Sequence, residues 1–100
     1  MENMNSKREG DILTVCPQDR LDTKMSPVFQ AEVESQLDGI MHLRIDMAGL
    51  NYISSAGLRV LMFLLQTMED RKGDMELLHV NATITEVFDI TGMLDVLTIK

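Results

Sequence analysis

The sequence predicts an α/β domain in which helices pack on a small mixed β-sheet, and three observations lead there. Leu43, Ile45 and Met47 alternate with polar residues, the period-2 pattern of a strand buried on one side. From Ala56 to about Arg71 the apolar residues recur at helical spacing, with Leu61, Leu64, Leu65 and Met68 on one face and Leu58 and Val60 at its edges. Strand-like and helix-like stretches also alternate three times along the chain, as crossover connections between neighbouring strands require.

Taken in order, Met1 to Gly10 is polar and reads either as an irregular N-terminus or as a weak edge strand. Gly10-Asp11 signals a turn, and Ile12 to Cys16 is a short β-rich run that Pro17 ends. Gln18 to Asp22 leads into a loop. Ser26 followed by Pro27 reads as a helix N-cap and first turn, with Val28, Ala31, Val33 and Leu37 as the apolar stripe and Gly39 as the C-cap. His42 to Met47 is the second strand, Ala48 to Asn51 a turn, and Tyr52-Ile53 lead into a serine pair. After the long helix, Gly73-Asp74 turns the chain into a third strand over Met75 to Val80. Asn81 caps a last helix with Ile84, Val87 and Phe88 on one face, Thr91-Gly92 ends it, and Met93 to Ile99 packs back on the core.

Composition narrows the function classes. One hundred residues, 45% hydrophobic and 25% charged, fit one domain over residues 1–100 that buries a core without staples. A net charge of −7, with no cluster of Lys and Arg, argues against a nucleic-acid partner and against docking on an anionic membrane. Cys16 is alone, which rules out an internal disulfide and reads as a buried core thiol. The N-terminus has no apolar signal core, and the longest apolar run, Val60 to Leu65, is far short of the roughly 20 residues of a membrane span. A soluble, cytoplasmic protein is expected.

The informative stretch is Asn51 to Met62, where a strand runs into the long helix through Ser54 and Ser55. Either hydroxyl suits the first unpaired N–H groups of the helix. The same place tolerates added negative charge, because the N-terminal end of the helix dipole is positive, so capping and phosphorylation both fit it. Met62 and Phe63 fall at the margin of the polar face near Arg59, Gln66 and Asp70, as scattered exposed residues or as a partner-binding patch. Catalytic chemistry is missing. Ile53, not glycine, stands two residues before Ser55, so there is no nucleophile elbow. His42 and His79 have no metal-site pairing, no Gly-rich loop cradles a phosphate, and no cofactor or metal is expected. An acyl-carrier-type domain, also small and acidic with a serine opening an apolar helix, is an alternative, but such carriers are helical bundles with Asp before the serine.

These residues carry a resemblance. Arg20-Leu21-Asp22, Leu43-Arg-Ile-Asp46, Ile53-Ser-Ser-Ala-Gly-Leu58 and Thr91-Gly-Met93 together resemble the STAS domain, specifically the free-standing anti-sigma factor antagonists of bacterial signalling, over nearly the whole chain. The resemblance implies phosphorylation on the serine two positions before the helix glycine, Ser55 counting back from Gly57, with Ser54 as second choice because it replaces the Asp common in the family. It implies partner switching. The unmodified protein binds an anti-sigma factor, a serine kinase of histidine-kinase-like ATPase fold, and frees a sigma factor; that kinase then phosphorylates the serine, and a metal-dependent serine phosphatase resets it. The expected interface is Asp22, Ser54, Ser55, Ala56, Gly57, Arg59, Met62 and Phe63, where Asp22 serves equally well as a turn-forming aspartate. The family also includes switches with a non-sigma output in secretion, second-messenger or transport control.

Overall fold

The first two strands form a hairpin. In the computed structural model, which describes residues 4–100, β1 (Asn5–Glu9) pairs antiparallel with β2 (Ile12–Cys16), and Gly10 turns between them at φ 63°. A left-handed φ at this turn favours glycine because a Cβ would clash with the backbone. The polar N-terminal stretch is therefore an edge strand over residues 5–9, exposed along its length and bearing Lys7, Arg8 and Glu9, charges that discourage further strand addition. Met1 to Asn3 lie outside the described residues.

The remaining main-sheet strands are parallel. β2 pairs with β4 (His42–Asp46), β4 with β6 (Asp74–Leu78), and β6 with a two-residue β7 (Thr98–Ile99), giving the order β1-β2-β4-β6-β7. Register sets two buried rows across the sheet, Leu13–Leu43–Met75 and Val15–Ile45–Leu77. These rows and the three helices, α1 (Met25–Glu34), α2 (Ser55–Asp70) and α3 (Ala82–Thr91), make one core with Phe29, Val33, Leu61, Leu64, Met68, Ile84 and Phe88. The alternate strand residues face away from it and form polar contacts: Arg44 to Glu76 at 3.1 Å and His42 to Asp74 at 3.0 Å. Cys16 belongs to that second face and is half-buried, not a core thiol. Burial, and then the Asp46 carboxylate, push its pKa up, which suppresses the reactive thiolate.

Two segments expected as loop and turn are strands. β3 (Asp19–Leu21) and β5 (Leu50–Ile53) pair parallel as a separate two-stranded sheet, each continuing the course of the strand before it. Both are too short to show a period in sequence. A sheet of this size also removes the helical-bundle alternative of an acyl carrier.

The first helix is corrected in detail. It begins at Met25, and its opening N–H groups are satisfied from Asp22: the Asp22 carboxylate accepts from the Met25 N–H at 2.9 Å and the Asp22 carbonyl from the Ser26 N–H at 2.9 Å. Ser26 is no cap. It is 1% exposed, and its hydroxyl donates to the Asp22 carbonyl at 2.6 Å. The helix starts two residues earlier than the Ser-Pro signal suggests, and its buried stripe is Ser26, Phe29 and Val33, with Val28 and Ala31 exposed. The helix also ends before Gly39, which serves the turn into β4 at φ 76°. In α2, Val60 is buried and Leu65 only half-buried, a small rotation from the expected face. Asn81 caps α3 as expected, accepting from the Ile84 N–H at 2.9 Å, and its amide donates to the Leu50 carbonyl at 2.9 Å.

Since Phe29 is fully buried against this core, Phe29→Ala should lower stability by about 3–5 kcal/mol, whereas Val28→Ala should fall within about 0.5 kcal/mol. Urea unfolding of both variants checks the assignment; equal losses would return Val28 to the core.

Candidate functional site

The site is built where β3 and β5 deliver the chain to the start of α2. Pairing of Leu21 with Ile53 buries both and leaves Arg20, Asp22, Tyr52 and Ser54 on the opposite side of the pair. The Leu21 carbonyl then accepts two hydrogen bonds from Ser54, from its N–H at 3.0 Å and from its hydroxyl at 3.3 Å. Close packing explains Gly57. A Cβ there would lie 2.7 Å from the Leu21 carbonyl oxygen and 2.7 Å from Ile53 Cγ1. Only glycine lets the first turn of α2 sit this close to β3.

The two serines have different surroundings. Ser54 is the N-cap: its Oγ accepts from the Gly57 N–H at 3.3 Å while its proton goes to Leu21. Its hydroxyl is committed in both directions. Ser55 is the first helical residue, is exposed, and its hydroxyl has no hydrogen-bond partner among the described residues. The two hydroxyls thus differ locally, one serine holding the helix and the other open to solvent.

Asp22 does more than form a turn. Beyond its bonds to Met25 and Ser26, its Oδ2 lies 3.6 Å from Arg20 Nε, and the Arg20 guanidinium stacks 4.3 Å from the centre of the Tyr52 ring. The Met25 N–H holds the Asp22 carboxyl below its ordinary pKa; desolvation opposes this, and the Arg20 hydrogen bond and charge and the Lys24 N–H add to it. Asp22 is therefore a fixed anion beside the serines. Sequence reading missed the Arg20–Tyr52 partnership, whose only sequence trace is that both residues stand one position before a buried one.

Along the outer side of α2 lies an open apolar groove of about 580 Å³ lined by Leu58, Arg59, Met62, Phe63, Gln66 and Met93. Phe63 is 44% exposed and Met62 half-buried. The structure thus brings Arg59, Met62 and Phe63 to one groove and sets Ser54, Ser55, Ala56 and Gly57 at the head of the same helix, with Asp22 beside Ser54 across the β3–β5 pair. Leu58, Gln66 and Met93 join the groove without having been singled out in sequence as site residues; Met93 arrives from the short 3-10 turn after α3. Among the described residues no group of three His, Cys, Asp or Glu could hold a metal, and no helix is long and apolar enough to cross a membrane.

Comparison with known proteins gives the following. The family model of the STAS domain matches residues 3–100. BtrV of Bordetella bronchiseptica, named as a candidate anti-sigma factor antagonist, is 31% identical over 86 residues, covering 85% of this chain and 74% of its own. The anti-sigma-B factor antagonist of Listeria monocytogenes is 27% identical over 96 residues, covering 94% of this chain and 83% of its own. The Bacillus cell fate determinant SpoIIAA, solved in its phosphorylated form, superposes with a TM-score of 0.75 at 14% identity, over 97% of this chain and 90% of that one. The last likeness is one of fold.

Two outcomes follow from the geometry. Gly57→Ala must displace α2 from the Leu21 carbonyl and should cost about 1–3 kcal/mol in urea unfolding, with the Ser54 amide signal losing hydrogen-exchange protection. A neutral result would mean that the helix start can shift freely. A carboxyl whose folded pKa is depressed contributes stability that is fully present above its unfolded value, near pH 4, and lost as pH falls through the folded value. Carbon NMR titration should therefore find Asp22 below the ordinary 3.8, and Arg20→Gln should move it upward. An unshifted Asp22 would remove it as the organiser of this corner.

Proposed function

The chain belongs to the STAS domain family, and from that premise we propose that it is an anti-sigma factor antagonist whose binding is switched by phosphorylation of Ser55. The observation that carries the proposal is the division between the serines: the Ser54 hydroxyl is spent on Leu21 and Gly57, and the Ser55 hydroxyl is exposed and unengaged. A kinase needs the second kind of hydroxyl.

In this reading the unmodified protein presents the Asp22 corner, residues 54–57 and the Arg59–Met62–Phe63 side of α2 to an anti-sigma factor that is also a serine kinase of histidine-kinase-like ATPase fold. Phe63 and Met62 supply apolar contact area and Arg59 a charge, a combination common at interface hot spots. The Ser55 oxygen attacks the γ-phosphorus of the ATP bound by that partner, the hydroxyl proton leaves, and ADP departs. The new phosphoserine carries about −1.5 to −2 charges at the positive end of the α2 dipole, so the fold tolerates it. The interface does not. A dianion there must be desolvated on rebinding and faces the fixed Asp22 anion nearby. A metal-dependent serine phosphatase would restore the binding form, and binding would leave the sigma factor free. The setting implied is cytoplasmic.

Pull-down from the source organism's lysate with wild type, Ser55→Ala and a protein carrying phosphoserine at 55 should recover the kinase with the first two and not the third. Phe63→Gln should weaken binding about tenfold, about 1.4 kcal/mol, with an unchanged melting temperature. Equal recovery by all three baits would reduce Ser55 to a surface residue, and a large fall in melting temperature with unchanged binding would place Phe63 in the fold and not the interface.

A further inference from the structure

The arginines of this chain are almost all in use. Arg8 donates to the Gly10 carbonyl, Arg20 pairs with Asp22 and stacks on Tyr52, Arg44 pairs with Glu76, and Arg71 donates to the carbonyls of Leu37 and Ile40. Arg59 alone among them has neither an ion pair nor a hydrogen bond to any described residue, and it is exposed. In a chain of net charge −7, Arg59 is thus the one guanidinium among the described residues that is still uncommitted and open to an anion.

Its position narrows what that is. Arg59 stands four residues after Ser55 on α2, about 6 Å further along the axis and on the same ridge, which continues to Phe63. Side chains on a helix lean toward its N-terminus, so Arg59 is directed back over the turn that begins at Ser55. The other helix neighbours one turn away, Ala56, Met62 and Phe63, are uncharged. From the adjacent β3 end the charged groups facing this corner are Asp22 and Arg20, already bound to each other, and Lys24 lies exposed before α1. Guanidinium is also the side-chain group best matched to phosphate, because its parallel N–H donors meet two oxygens at once.

We propose that Arg59 is the intramolecular receiver of the Ser55 phosphate, so that modification both adds a dianion and withdraws the free cation from the mouth of the apolar groove. The proposal rests on Ser55 being the phosphoacceptor. It deepens that reading by giving the switch two effects of one sign: the partner meets new negative charge at the head of α2 and loses a guanidinium from the groove that Met62 and Phe63 line. Nothing in the core has to move for either effect.

The test separates this from the phosphoacceptor assignment by installing phosphoserine at position 55 during synthesis, without any kinase. Phosphorus NMR titration of that protein should give a phosphate pKa lower by about 0.3 unit in the Arg59 form than in Arg59→Gln, with Arg59→Lys recovering part of the difference and salt reducing it. The Arg59 Nε–H resonance should shift and exchange more slowly with water in the phosphoprotein than in the unmodified protein. Identical phosphate pKa values in wild type and Arg59→Gln would overturn the proposal, as would a shift abolished by Arg20→Gln and untouched at Arg59. Failure of a kinase to modify Ser55 in a separate assay would instead count against the phosphoacceptor reading, since the NMR result does not depend on it.

Discussion

One backbone carbonyl, that of Leu21, fixes the geometry of the whole site. It receives both donors of Ser54, and it is the oxygen that leaves no room for a side chain at Gly57. Because it lies at the end of β3, those contacts tie the two-stranded pair to the start of α2. The next residue, Asp22, opens α1 with its carboxylate and its carbonyl. Two helix starts thus meet at two consecutive positions at the end of one strand. The consequence for chemistry is direct: a serine at position 54 must spend its hydroxyl on holding this junction, and the residue after it necessarily begins the helix with its side chain outside.

Legibility from sequence followed the length of the signals. The alternation of Leu43, Ile45 and Met47 and the Asn81 cap persist over enough residues, or depend on a local enough bond, to be read from one chain. β3 and β5 are three and four residues long, too short for a period-2 pattern, and exist because each extends a strand already placed. In α1 the Ser-Pro pair misled because proline suits any position of the first turn; the cap came from Asp22, and the buried face rotated onto Phe29. Within the site, Ser54 and Ser55 have equal intrinsic capping preference, so their roles depend on which one reaches Leu21. Arg20 and Tyr52 meet through strand register, which spacing in a single sequence does not encode.

The charged groups divide according to how much the fold needs them. Pairs on the outer face of the sheet, such as the exposed Lys7–Glu9 and the partly exposed Arg44–Glu76, each contribute little, on the order of 0–1 kcal/mol. Stability comes from the apolar rows under the helices, where the residues are fully buried and uncharged. In the proposed switch, a phosphate added at the surface end of α2 therefore lies apart from the apolar rows that carry most of the stability. For that proposal, this separation is what allows two charge states with one structure, which a binding switch requires and a folding switch does not.

That separation also decides the kind of switch the groove can support. Phe63 and Met62 project from a sixteen-residue helix whose opposite face is locked into the core through Leu61, Leu64 and Met68, so the apolar surface offered to a partner is already ordered. A preordered surface costs little entropy to bind, which favours affinity, but it cannot be withdrawn by local unfolding without dismantling the core. In the proposed switch shape is thus constant in both states, and only charge is left to vary. Its variable charges, as proposed, stand at Ser55 and Arg59, at the head of that same helix, where the dipole stabilises an anion and where altered interaction bears on the partner more than on the fold.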